Sequence, residues 1–294
     1  MRCPVPIIVH GAAVPCGQCL SCRVNKRRIW THRLLLEAAS AAAQSFVTLT
    51  YQDEMEVFSI GSRLPTLVPQ HLQGFLKRLR ARVDPARIRF YGVGEYGESS
   101  ARPHYHLVLF GYPNCERGVT FGDGSACCVH CELIHSVWGA GRIQVAEFNQ
   151  STAQYVAGYV LKKMGRGHVE LRGRYPEFSR MSLRPAIGSG LLWDISSTLL
   201  EHDREQTDVD VPNGLRHGRK VLPLGRYLRG KLREQIGRVK TAPQEVYSEA
   251  QAEVLALYGA AAASGVSVRT ALRDRLAGQA ASVQAQFVKR KGSL

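Results

Sequence analysis

The stretch IRFYGVGEYGESSARPHYHLVLF (residues 88–110) decides the fold. Ile88 to Glu95 and His104 to Phe110 have the aromatic and β-branched composition of strands. Between them, Tyr96 to Pro103 contains Gly97, Ser99, Ser100 and Pro103, residues that turn a chain, so the pair reads as an antiparallel hairpin. Outward from it, Phe46 to Tyr51 (FVTLTY) is a short strand and Arg142 to Phe148 another. Leu20 to Ala43 is rich in helix formers. Pro69 to Val83 places Leu72, Phe75, Leu76 and Leu79 at helical spacing opposite a basic face. Glu132 to Trp138 is a short helix, and Ser151 is the expected N-cap of a helix through Met164. Beyond it the chain is Arg-rich and irregular to about Gly190. Val221 to Gly237 is a basic helical stretch, and Ala-rich Gln244 to Lys291 a peripheral helix. The class is α+β, an antiparallel sheet flanked by helices. Its expected segments are a Cys-rich knuckle with a basic helix (1–45), a core (46–165), a basic extension packing on the core (166–240) and a helical tail (241–294).

Lys and Arg number 39 against 24 Asp and Glu, a net charge of +15 in 294 residues. That excess points to a polyanionic partner. A membrane partner is not expected, because no segment approaches the roughly 20 apolar residues of a spanning helix. No signal peptide is read at Met1 to Gly11, where Pro4 and Pro6 interrupt the apolar run. With 45% apolar and 21% charged residues, the composition excludes wholesale disorder. The eight cysteines are clustered, which without a secretory signal reads as metal binding in a reducing cytoplasm.

His104 and His106 lie two apart on a strand and so share a face, with Cα atoms roughly 6.5–7 Å apart. Two such imidazoles can converge on one metal ion, and Glu95, at the end of the opposing strand, would complete a two-His, one-carboxylate site. Glu98 is the rival ligand; Glu95 is preferred because a strand end is held more rigidly than a loop tip. On the helix from Ser151, with Tyr155 set at 0°, Tyr159 falls at about 40°, Lys162 at about −20° and Lys163 at about 80°. Val156, Ala157, Val160, Leu161 and Met164 fill the other side, so the apolar stripe is expected opposite the tyrosines. A phenol, with a pKa near 10, needs a neighbouring positive charge or base to act as a nucleophile. A His-bound divalent ion would polarise a phosphodiester, and lysine would neutralise charge on the transferring group. No GxxxxGK[ST] phosphate loop occurs.

The blocks FVTLTY (46–51), GEYGESSARPHYHLVLFG (94–111) and YVAGYVLKK (155–163), with PCGQCLSCR (15–23) and PEFSRMSLRPAIG (176–188), resemble the HUH rolling-circle replication initiators. More narrowly, they resemble the initiators of gokushovirus-like microviruses, small single-stranded DNA phages. The resemblance spans most of Cys3 to Gly237. It implies an RNA-recognition-like sheet that nicks and rejoins single-stranded or origin DNA through a 5′-phosphotyrosyl intermediate. By that resemblance, His104, His106 and an acidic residue such as Glu95 bind Mg²⁺ or Mn²⁺. Tyr155 and Tyr159 are the alternating nucleophiles, assisted by Lys163 and Lys162. Host replication proteins in the bacterial cytoplasm are the expected partners.

Cys3, Cys16, Cys19 and Cys22 supply four thiolates, enough for a closed structural zinc site. Such a site would pin Arg23, Lys26, Arg27 and Arg28 at a helix start able to track a DNA backbone, with Lys77 and Arg78 adding to the phosphate-binding surface. Gly111 to Cys131, with a GDG turn, reads as a mobile surface insertion. In it, Cys127, Cys128, His130 and Cys131 with Cys115 or His135 form an alternative ligand set, against which the glycines weigh. Two other functions compete: a zinc-containing nucleic-acid-binding protein without catalysis, and a non-haem iron oxygenase. The first leaves the HxH strand and tyrosine helix unused. The second leaves the charge unexplained.

Overall fold

A computed structural model describes residues 3, 6–9, 12–162, 171, 173–268, 270–271 and 281. In chain order the elements are β1 (Ile7–Val9), β2 (Ala12–Val14), α1 (Leu20–Ala39), β3 (Gln44–Thr50), α2 (Pro69–Arg82), β4 (Arg89–Tyr96), β5 (Pro103–Phe110) and α3 (Val129–Trp138). Then follow β6 (Ile143–Glu147), α4 (Gln150–Lys162), β7 (Phe178–Met181), α5 (Leu192–Glu201), α6 (Arg204–Thr207), β8 (Gly214–His217), β9 (Lys220–Pro223), α7 (Gly225–Gln235) and α8 (Gln244–Ala263). The chain forms two compact units, Trp30–Leu191 and Met1–Ile29 with Leu192–Leu294. Among the described residues no helix is long and apolar enough to cross a membrane.

Trp30–Leu191 is built on a five-stranded antiparallel sheet of order β6-β3-β5-β4-β7. Both faces are covered, and the two-residue period of a strand sorts the side chains between them. Val47, Leu49, Tyr51, Tyr105, Leu107 and Leu109 join Leu72, Phe75, Leu76 and Leu79 of α2 and Ile134, Val137 and Trp138 of α3 in one core. Tyr91, Val93, Val108 and Phe110 face the other way, against Leu34 of α1 and Ala153, Val156 and Tyr159 of α4.

β7 falls in the stretch expected to be irregular. Its Phe178 packs on Gly94 of β4, where an added Cβ would stand 2.7 Å from the ring. The strand pairs there because a glycine admits the aromatic ring.

In the second unit, β1 pairs with β2 and β8 with β9, each antiparallel. The helix expected over Val221 to Gly237 is a hairpin strand followed by α7. Asp210 takes a bidentate ion pair from Arg233, at 2.7 Å for both Nε and Nη2, and a further one from Arg229.

Candidate active site

β5 runs through the middle of its sheet, and the ladder fixes what surrounds its histidines. Across β3, His106 lies opposite Thr48 and His104 opposite Thr50; across β4, His104 lies opposite Glu95. Thr48 Oγ1 is hydrogen bonded to His106 Nδ1 at 3.0 Å, and Thr50 Oγ1 to His104 Nδ1 at 3.2 Å. His106 Nε2–H donates to Glu95 Oε1 at 2.9 Å. Glu95 and His106 are 5% and 7% exposed, and His104 is half-buried. Burial, with the neighbouring His106, pushes the His104 imidazole below its ordinary pKa. Glu98 is exposed in the hairpin loop.

Between the two histidines, Tyr105 points to the opposite face. Its hydroxyl accepts the Val68 N–H at 2.9 Å and lies 2.8 Å from the Tyr51 hydroxyl, so the strand is anchored from below.

α4 brings both phenols to this face. The Tyr159 ring stacks on His106 at 5.5 Å between centroids and 8° between planes; Tyr155 meets the same imidazole edge-on at 5.4 Å. The tyrosine rings are 5.0 Å apart, and Phe46 stacks on the other side of His106 at 5.9 Å. The expectation that the apolar stripe lies opposite the tyrosines is corrected: Tyr159 is 6% exposed and belongs to the core with Val156, whereas Tyr155 is 45% exposed. The helix packs a face wide enough to include one phenol. Burial, the hydrogen bond with Tyr155 and the charge of Glu95 hold the Tyr159 phenol well above its ordinary pKa. Lys162 ends α4, seven residues from Tyr155 and three from Tyr159, a spacing that sets its backbone position on their side. Lys163 lies outside the described residues.

The helix is capped by a residue slightly earlier than Ser151. Asn149 Oδ1 accepts the N–H groups of Ser151 and Thr152 at 2.9 and 3.1 Å, and the Asn149 N–H donates to Thr152 Oγ1 at 2.8 Å. This reciprocal box satisfies three donors and sets the entry of α4. Asn149→Ala is expected to destabilise the protein by about 1 kcal/mol in chemical denaturation.

The N-terminal cysteines converge as a group, with the Sγ atoms of Cys3, Cys16, Cys19 and Cys22 all within 4.8 Å of one another. Cys3 Sγ lies 3.5 Å from Cys16 and 3.7 Å from Cys19, and the N–H groups of Cys16 and Cys19 donate to Cys3 and Cys16 sulfurs, both at 3.3 Å. Burial raises the Cys16 thiol, but the Cys19 and Gln18 N–H donors and neighbouring thiols outweigh it and bring it to about 7. This group has the ligand set of a structural metal such as zinc.

The basic residues are less alike than the sequence suggests. Arg78 donates Nε and Nη2 to the Val137 carbonyl at 3.0 and 2.8 Å, capping the end of α3. Arg23 bonds the Gln18 carbonyl and Arg28 the Val221 carbonyl, at 2.7 and 3.0 Å. Lys26 and Lys77 are exposed and Arg27 half-buried. Sequence reasoning missed Thr48, Thr50 and Phe46. The signal was there in FVTLT, whose two threonines repeat the spacing of HxH on the neighbouring strand.

Residues 44–164, which hold every strand and helix of this site, match the family model described as replication-associated protein ORF2, and the chain belongs to that family. It is similar to replication-associated protein ORF2 of Spiroplasma virus 4, 34% identical over 176 residues that cover 58% of this chain and 54% of the relative. It is also similar to replication-associated protein VP4 of Bdellovibrio phage phiMH2K, 28% identical over 69% of this chain and 63% of the relative. Replication-associated protein ORF4 of Chlamydia phage 1 is 25% identical over 83% of this chain and 59% of its own length. The chain thus spans between half and two thirds of the length of these curated relatives. No solved structure matches it.

Proposed function

We propose that the chain initiates rolling-circle replication as a divalent-cation-dependent nickase and strand-transferase acting on single-stranded origin DNA. The observation that carries this reading is the packing of both α4 phenols around His106, beside His104 and Glu95. In the nicking step a tyrosine Oη attacks phosphorus, the P–Oη bond forms and the P–O3′ bond breaks. The phenol proton ends, in net terms, on the departing 3′ oxygen, and the 5′ phosphate stays on the tyrosine. Attack by a 3′ hydroxyl reverses the exchange and rejoins the strand, so no nucleotide cofactor is consumed. Tyr155, the exposed phenol, meets the incoming strand first, and Tyr159 serves the second transfer. Lys162 and Lys163 are assigned to neutralise charge on the transferring phosphate.

The donor set fits Mg²⁺ or Mn²⁺ held by His104 and His106 Nε2 and by Glu95. Ligation through Nε2 places each ring proton on Nδ1, where Thr48 and Thr50 accept it, the outer-shell support that metal-bound imidazoles use. Gly97 leaves room at the same edge: a Cβ there would stand 3.1 Å from His104 Nε2. Bound there, the cation would polarise the scissile phosphate and orient it for in-line displacement. The partners in this reading are origin DNA and host replication proteins in the bacterial cytoplasm.

The test is a denaturing gel of full-length protein with an origin-containing single-stranded oligonucleotide and Mn²⁺. His104→Ala with His106→Ala is expected to slow cleavage at least about a hundredfold, the scale of several kcal/mol of lost charge stabilisation. Undiminished cleavage in that variant refutes the metal assignment. DNA binding without cleavage by the wild-type chain would favour the non-catalytic reading.

A further inference from the structure

The insertion 111–131 is not the open loop its glycines suggest. Cys115, Cys127, Cys128 and Cys131 are 4%, 5%, 8% and 0% exposed, and their Sγ atoms lie within 4.8 Å of one another. Cys115 Sγ is 3.6 Å from Cys127 and 3.9 Å from Cys128, and none of the four is in a disulfide. Four buried thiols acting as small apolar residues have no reason to converge on one point. Four ligands on a tetrahedral zinc ion, with Zn–S bonds of about 2.3 Å, stand about 3.8 Å apart along each edge. A disulfide would bring one pair to about 2.05 Å and leave the other two sulfurs unexplained.

The surroundings are those of a thiolate cage. The Phe121 N–H donates to Cys127 Sγ at 3.2 Å, and Thr120 Oγ1 lies 3.3 Å from Cys131 Sγ. Cys128 and Cys131 form a CxxC at the start of α3, where the helix N-terminus favours negative charge. His130 stands apart, with Nδ1 3.0 Å from the Asn114 carbonyl.

We propose that Cys115, Cys127, Cys128 and Cys131 bind one Zn²⁺ in a closed tetrathiolate site that clamps the insertion over the outer edge of β6. Zn²⁺ replaces the four thiol protons, which leave to solvent, and no redox change occurs. The clamp acts through Thr120. Its hydroxyl accepts the Val145 N–H at 2.6 Å, its own N–H donates to the Val145 carbonyl at 3.0 Å, and the Ile143 N–H donates to the Asp123 carbonyl at 3.2 Å. Val119 also bridges Ala146. β6 is an edge strand, and these bonds occupy the groups that would otherwise pair with another chain.

Elemental analysis of the full chain, purified without chelator, tests the site. The Cys16→Ser/Cys19→Ser variant, in which the N-terminal group is broken, is expected to keep one equivalent of zinc. Reloaded with Co²⁺ alone, it should show thiolate-to-cobalt charge transfer and tetrahedral d–d absorption. His130→Ala in that background should retain the metal. Chelator should make Cys115, Cys127, Cys128 and Cys131 alkylate together, as read by peptide mass mapping. No metal in Cys16→Ser/Cys19→Ser, loss of it in His130→Ala, or alkylation that chelator leaves unchanged would each overturn the proposal.

Discussion

Replacing both Tyr155 and Tyr159 by Phe is expected to abolish the covalent protein–oligonucleotide adduct while leaving DNA binding and its salt dependence unchanged. The substitution removes two hydroxyls and no charge, so the phosphate contacts that give binding its ionic-strength slope stay in place. Both rings keep their packing against His106, so the helix has no cause to move. The single variants separate the roles. Tyr155→Phe should lose the first adduct, because the 45%-exposed phenol is the one an incoming strand can reach. Tyr159→Phe should form that adduct and fail at transfer to a second strand, read as accumulation of the first product. An adduct formed by the double variant would remove both tyrosines from the mechanism.

The second large effect concerns stability. Asp210→Ala is expected to destabilise the chain by about 3–5 kcal/mol in urea unfolding, because it leaves the buried guanidinium of Arg233 without its counter-ion. Arg233 and Asp210 side chains are 4% and 7% exposed, and the pairing is bidentate. Burial alone would raise the Asp210 carboxyl, but Arg233, the Val211 N–H and Arg229 outweigh it and hold it below its ordinary value. A depressed carboxylate stabilises the fold above the unfolded-state pKa near 4 and loses that contribution as pH falls through the folded value. The gap between wild type and variant should therefore be full at pH 7 and close in strong acid. A difference below 1 kcal/mol at neutral pH would show that the pair does not hold this region together.

How far the sequence is legible depends on where each strand sits. The hairpin at 88–110 is readable because turn residues bound it. Its second strand is buried on both faces, so HYHLVLF reads as a continuous apolar run rather than an alternation. The order of its neighbours follows only from long-range pairing. Phe178–Met181 is too short to give a period of its own, and its place depends on a glycine more than eighty residues earlier. The histidines, Glu95 and the two tyrosines stand out by spacing, and the structure gathers them on one face. The burial of Tyr159 is not legible, because a helical wheel shows which residues share a side and not how wide the packed side is. The convergence of Cys115 on Cys127 and Cys128 is hidden for a related reason: eleven intervening residues with glycines read as loop, and only the folded insertion brings the ends together.

Thr48 and Thr50 have a consequence for quality control. They face the imidazoles only because β3 and β5 pair in one alignment; sliding by a single step would present Val47 and Leu49 there and turn the threonines into the apolar layer. The same slip would strip the imidazoles of their hydroxyl partners and the core of its aliphatic contacts. A wrongly aligned molecule is therefore both unstable and inert, and cutting competence is confined to correctly assembled chains.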